Sequence, residues 1–336
     1  MRSSQPTPSV PASGPSVPVP PPLRLGKLLG NNAGLILAFV LLSVALAIAN
    51  PAFLKLSNLT NVARQSIFVG IIGLGMTFVI ASGGIDLSVG AVFAICGAVT
   101  ADLILAGLPV PLALLAALGV GAVVGMINGF LVARLKIADF IATLATMSIL
   151  RGLIMVYTRG VPFFGVRAES FKWLGQGYIG PIPVPVVLTA LLAVVAHVVI
   201  TRTAFGRHVC AIGSNQEAAR LVGVNMQGVK ISVYTLTAVL AAFSGILLTS
   251  RMEAAMPESG LGYELDVIAA TVIGGTSLSG GRGNILGTVI GALIMAIVRN
   301  GLNLLDISTF WHQVVIGSII LVAVGLDRLS TIRSRK

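Results

Sequence analysis

An all-α membrane protein, a polytopic bundle of about ten transmembrane helices in two inverted five-helix halves, is the fold class this sequence predicts. Three observations carry that expectation. Of 336 residues, 56% are apolar and only 10% are charged, against about 25% charged in a soluble domain. The mean hydropathy is +0.98. The apolar residues also gather into runs near the length of about 20 that crosses a bilayer. One membrane domain over 28–329 fills the chain, with an uncharged Pro/Ser-rich disordered tail at 1–27 and a short basic tail at 330–336.

The elements follow in order. The first apolar run, Ala33 to Ala49, has no small-residue cleavage site and reads as an uncleaved span. Further runs predict spans near 62–82, 86–107, 110–133, 139–158, 183–201, 230–250, 264–280, 284–304 and 311–327. With the N-terminus inside, fourteen of the 22 basic residues fall on inside segments, five fall outside and three lie within spans. That asymmetry puts both termini in the cytoplasm and makes the span number even. The longest outside loop, 159–183, carries Phe163, Phe164, Phe171, Trp173 and Tyr178 among glycines and prolines. It reads as an aromatic interfacial segment or as a docking surface for an external partner.

The net charge of +11 does not indicate a nucleic-acid partner, because the basic residues are scattered between apolar runs rather than clustered into a patch. Cys96 and Cys210 show neither disulfide nor metal spacing. The string G-G-I-D-L-S-V-G at 83–90 returns as G-G-T-S-L-S-G-G at 274–281. Two ladders, Gly121/Gly125/Gly129 and Gly283/Gly287/Gly291, sit at different distances from those strings and suggest close helix packing. Inverted halves are a common transporter plan.

Enzyme machinery is missing from the sequence. None of the three histidines lies in H-E-x-x-H, no serine in G-x-S-x-G, and no lysine in a Walker phosphate loop. No cofactor is expected, and energy for uphill movement must come from a partner or an ion gradient. Arg64, Asp86, Asp102, Asp139, Arg151, Asp266 and Arg299 are ionisable groups in or beside spans, costly there and so functional candidates, with pairing or capping as the structural alternative. Asp86 stands out because it lies in a helix-breaking polar string, tolerable at membrane depth only beside a cavity. The strings 83–90 and 274–281 are therefore expected to be broken-helix elements along a path.

Between Thr201 and Lys230 lies a long inside loop. Within it, Gln216 to Val222 alternates polar and apolar residues as a short amphipathic helix, with Asn215 as cap and Gly223 as stop. Such a helix, projecting from a many-span protein, can fit a groove on a moving partner. The E-A-A-x-x-x-G string there resembles the coupling segment of binding-protein-dependent ABC importer permeases. The run at 206–225, with G-G-I-D-L-S-V-G, A-T-L-A-T-M-S-I-L-R-G at 142–152 and I-G-G-T-S-L-S-G-G-R-G at 273–283, resembles the ribose-type, monosaccharide branch of that family.

The resemblance implies ten helices in a bacterial inner membrane and a second copy of the permease. It also implies a cytoplasmic ATPase with two ATP-binding cassettes and an extracytoplasmic sugar-binding protein. By the same resemblance Glu217, Ala218, Ala219 and Gly223 would couple to the ATPase. Asp86, Ser88, Ser277 and Ser279 would line or shape the translocation path, and Arg151 would be structural. The rival readings are an ion-coupled secondary carrier depending on Asp86, and a permease for a nucleoside or branched-chain amino acid.

Overall fold

The computed structural model describes residues 32–333; the predicted tail at 1–27 and the last three residues of the basic stretch at 330–336 lie outside it. Helix dominates. The helices are α1 (Ala33–Ala49), α2 (Leu56–Ala81), α3 (Val89–Leu105), α4 (Val110–Ala133) and α5 (Asp139–Thr158). After them come α6 (Glu169–Gln176), α7 (Val184–Arg202), α8 (Ala204–Ser214) and α9 (Gln216–Leu221). The last four are α10 (Met226–Met252), α11 (Tyr263–Ile273), α12 (Ile285–Leu304) and α13 (Thr309–Arg333). Six of them, α2, α4, α5, α7, α10 and α12, are long and apolar enough to cross a membrane, and shorter apolar helices include α1, α3 and the Phe310–Val322 stretch. The chain is a multi-pass membrane protein.

Hydropathy located the long helices to within about six residues of their ends, with one departure, and did not mark α6 or α8. The run expected over 264–280 is helical only to Ile273. Gly275 adopts φ +86, a left-handed conformation that L side chains rarely take, and the string 274–284 continues without helix.

The core is built on two mostly buried helices. In α2 every residue from Ser66 to Ala81 is buried. Helix α10 packs against α2, α3 and α4, while α2 in turn packs against α11 and α12. In lipid the apolar faces gain nothing by leaving the solvent, so close packing must hold the bundle together. The glycines permit it. A Cβ on Gly125 would stand 2.6 Å from Thr235 Cα, and one on Gly129 2.6 Å from Ile231 Cα, so α4 and α10 run nearly backbone to backbone. The second ladder serves other contacts. Gly287 and Gly291 abut Gly274 and Ala270 of the α11 segment, whereas Gly283 faces Ile200, Thr77 and Ala81.

The connections gather at two opposite ends of the bundle. At one end are 82–88, 134–138, 203–225 and 274–284; at the other are 50–55, 106–109, 159–183, 253–262 and 305–308. The aromatic 159–183 segment is folded: β1 (Phe163–Phe164) pairs antiparallel with β4 (Ala254–Ala255), and β2 (Tyr178–Ile179) with β3 (Ile182–Pro183). Phe171 of α6 is fully buried, while Phe164, Trp173 and Tyr178 remain exposed.

Candidate functional site

At the first end, Thr203 Oγ1 caps α8 by accepting from Gly206 N at 3.2 Å. The helix buries Gly206, Val209 and Ile212 against the bundle, and Phe205 lies 6.2 Å from the ring of Phe78 on α2. Its last turn is wedged between two chains. A Cβ on Gly213 would overlap the Ala81 carbonyl oxygen and stand 2.5 Å from Gly281 N, which itself donates to Ala81 O at 2.9 Å. The end of α2, the end of α8 and the 274–281 string therefore meet main chain to main chain. The two glycine strings that repeat in sequence converge here, although one follows a long helix and the other a short one.

Helix α9 stands on that junction. Asn215 Oδ1 accepts from Ala218 N at 3.0 Å, as the sequence led one to expect of an N-cap. Gly223 takes φ +81 just past the C-terminal end and donates to Arg220 O at 3.1 Å. Ala219 is buried, whereas Glu217 and Ala218 face outward. Leu221 and Val222 form an apolar tip, 87% and 78% exposed. Between α9 and the ends of α4, α5 and α10 lies a cavity of ≈ 780 Å³ whose lining includes Lys136, Asp139, Glu217, Arg220 and Lys230. Asp139 closes its inner wall by accepting from Ile85 N at 2.6 Å, and thereby holds the 83–88 segment.

Deeper in the bundle, Asp86 and Ser88 sit in a buried polar network that engages Asp86 Oδ1 and leaves Asp86 Oδ2 without a hydrogen-bond partner. Asp86 Oδ1 accepts from Ser88 N at 2.8 Å and from Ser88 Oγ at 2.6 Å. Asn128 Nδ2 of α4 donates to Ser88 Oγ at 2.9 Å, and Thr146 Oγ1 of α5 donates to Asn128 Oδ1 at 2.6 Å. Asp86, Ser88 and Asn128 are each 0% exposed. The network bonds the broken segment to two helices, as non-helical backbone inside a membrane requires. In the other string Ser277 is buried and Ser279 exposed. That string is held by Asn284, which donates to Gly274 O at 2.8 Å and accepts from Gly287 N at 3.0 Å. Asn128, Thr146 and Asn284 were not singled out in the sequence; a polar residue within an apolar run is the signal that marks the first two, and an asparagine just before an apolar run marks Asn284 as a cap.

The remaining ionisable candidates pair off toward the opposite end. Arg299 Nη2 and Asp266 Oδ2 are 2.6 Å apart, with Asp266 wholly buried. Tyr157 donates to Asp102. Arg64 lies over the Tyr178 ring, 5.0 Å from its centroid. Arg151 Nη1 donates to Ser259 O at 2.8 Å. At the surface Lys172 and Glu253 are 3.0 Å apart. The hydrogen bonds from Lys172 and Gln176 hold the Glu253 carboxyl below its ordinary value of 4.5.

The geometry thus contains a buried polar brace, an exposed short helix standing on the junction of Ala81, Gly213 and Gly281, and a cavity beside that helix. Comparison with known proteins gives this arrangement a context. Residues 58–324 match the family described as branched-chain amino acid transport system / permease component. The ribose import permease protein RbsC of Bacillus subtilis (strain 168) is 48% identical over 299 residues, covering 89% of this chain and 93% of that protein. The L-arabinose transport system permease protein AraH of Escherichia coli (strain K12) is 40% identical over 306 residues, covering 89% and 90%. The xylose transport system permease protein XylH of the same strain is 36% identical, covering 88% and 93%.

Proposed function

Because the chain belongs to the branched-chain amino acid transport system / permease component family, we propose that it is the membrane-spanning subunit of an ABC importer for a monosaccharide. The family description alone leaves amino acids in view; relatives named for ribose, arabinose and xylose, each matched over nearly their whole length, favour a sugar. The observation that carries the mechanical part is α9, an exposed helix standing on a main-chain junction of α2, α8 and the 274–281 string.

In this reading Glu217, Ala218, Ala219 and Gly223 seat α9 in a groove of a separate cytoplasmic ATPase, which carries two ATP-binding cassettes. A second permease copy completes the path, and an extracytoplasmic sugar-binding protein delivers solute to the far end. Ten spans with both termini cytoplasmic suit the fourteen-to-five distribution of basic residues. Two inverted halves suit the crossed packing, in which α10 holds α3 and α4 while α2 holds α11 and α12.

Transport then proceeds by alternating access. Nucleotide binding moves the ATPase groove; α9 follows it. The junction at Gly213 passes the displacement to the end of α2 and to the 274–281 string without an intervening side chain. Asp86 and Ser88 shape the path by fixing the broken segment against α4 and α5, and Ser277 and Ser279 belong to the string that moves with α8. A weakly polar path suits a sugar that must leave as readily as it enters.

The test is uptake of radiolabelled ribose, arabinose and xylose by proteoliposomes holding the permease, its ATPase and its binding protein. Wild type should concentrate one of the sugars only with ATP. Glu217→Ala and Gly223→Val should lower uptake per ATP hydrolysed about tenfold, while membrane insertion is retained. Normal coupling in both variants would refute the role of α9, and concentration of sugar without the ATPase would refute the importer itself.

A further inference from the structure

One cavity has no part in the mechanism above. It measures ≈ 160 Å³ and lies among α2, α11, α12 and the start of α13, at the end of the bundle opposite α9. Asp266 stands in the first turn of α11, and Arg299 stands five residues before the end of α12. At 1.5 Å per residue that is about 8 Å below the end of the helix. Asn303, one turn above Arg299, also lines the cavity and is exposed, so the mouth opens there; Asp266 and His312 are buried. His312 Nε2 donates to Ile307 O at 3.2 Å and ties the first turn of α13 to the wall.

The wall is chemically incomplete. Eight buried side-chain polar atoms lack a hydrogen-bond partner among the described residues, and three of them belong to residues lining this one cavity: Gln65 Oε1, Asp266 Oδ1 and Arg299 Nε. Asp266 spends only its other oxygen on Arg299 Nη2, at 2.6 Å. A buried ion pair holds only where its remaining lone pairs and protons are also bonded. The missing partner must therefore donate twice and accept once. It must also be neutral, because the guanidinium repels a metal ion and the carboxylate repels an anion. A hydroxyl both donates and accepts. The rest of the wall is apolar, formed by Val69, Met295, Ala296 and the ring of Tyr263, which Phe93 holds at 5.1 Å. An aromatic face and an aliphatic floor suit the C–H side of a sugar ring. Waters, about five at 30 Å³ each, would answer the polar atoms and leave that apolar wall without a counterpart. Their joint volume is close to that of one pentose.

We infer that this cavity is an entry site for one pentose per chain, in which Gln65 Oε1 and Asp266 Oδ1 accept from sugar hydroxyls and Arg299 Nε donates to one. The proposal rests on the importer reading above and deepens it, by naming where a sugar released from its delivery protein is first held. A site with three such contacts and an open mouth holds its solute weakly and lets it go. Asp266 and Arg299 were marked by the sequence as charges beside spans; Gln65 was not, since an amide in an apolar run is recognisable as a ligand only once the cavity is seen.

The experiment has two arms. Saturation-transfer NMR on the full chain in nanodiscs reads binding of ribose, arabinose and xylose, and the reconstituted importer with saturating loaded binding protein reads uptake of the same sugars. Wild type should bind the sugar it imports. Gln65→Leu removes one acceptor and should weaken that binding about tenfold. Ala296→Leu fills the floor without touching a polar group; it should abolish binding and lower uptake about tenfold, with a melting temperature within a few degrees of wild type. Wild type that imports a sugar but shows no binding, or binding unchanged in both variants, would overturn the site. Loss of the fold in both variants would assign these residues to packing alone and overturn it too, and full uptake by Ala296→Leu would leave a cavity for water only. An importer that carries none of the three sugars would instead refute the importer reading itself.

Discussion

Replacing Gly213 by alanine tests the junction under α9 at its tightest point. The added carbon would overlap the Ala81 carbonyl oxygen and stand 2.5 Å from Gly281 N. Real side-chain carbons stay beyond 3.0 Å of such atoms, so the chains must part by about 1 Å, set by the Ala81 carbonyl oxygen. Both obstacles are main chain and cannot rotate away. Overpacking of this kind costs about 1–3 kcal/mol, too little to unfold a helical bundle but enough to separate α8 from the end of α2. The hydrogen bond from Gly281 N to Ala81 O, 2.9 Å long, is the first contact to open. Import by the reconstituted importer should fall about tenfold or more, with a melting temperature lowered by a few degrees at most. Gly119→Ala is the control: nothing lies within 4 Å of its added carbon, and alanine favours a helix interior by up to about 1 kcal/mol. If Gly213→Ala melts and transports as wild type does, the junction does not carry force.

Two further outcomes follow from the opposite half of the molecule. Arg299→Met leaves the buried Asp266 carboxylate without its partner at 2.6 Å and should cost about 3–5 kcal/mol, read by thermal unfolding in detergent. The double variant Arg299→Met/Asp266→Leu should recover most of that loss, and a double variant no better than the single would contradict the pairing. Glu253 carries a pH prediction. Its folded value is depressed below 4.5 by hydrogen bonds from Lys172 and Gln176, so its contribution is present above 4.5 and is lost as pH falls through the lower, folded value. Hydrogen exchange over 163–176 should accelerate on that acid side in wild type and respond less to the same change in Lys172→Met, which keeps only the bond from Gln176.

The long helices were legible because hydropathy reports directly on what lipid demands, and every long apolar run but 264–280 became a helix within about six residues of its expected ends. The cap at Asn215 and the stop at Gly223 were legible for a different reason, since both are local chemistry within three residues of the helix they bound. Contacts across the sequence were not. Asn128 reaches Ser88 over forty residues, and no local pattern announces that bond. The early end of α11 was legible in one reading and not in the other: glycines marked 274–281 as a helix break, while V-I-G-G-T-S stays apolar on average and drew the span on to 280, where Gly275 turns left-handed. The repeat of the two glycine strings suggested equivalent places in two halves; their shared property proved to be the common meeting point at Gly213.

The bare tip of α9 also bears on how the subunit is made. Leu221 and Val222 stand almost fully in water, and about 1.5–3 kcal/mol per side chain is to be gained by covering each of them. Whatever protein first offers an apolar slot will take that gain, another copy of this chain included. Synthesis alongside its companion should therefore raise the yield of dispersed protein, and a charge placed at position 221 should do the same for the orphan subunit while spoiling it for work.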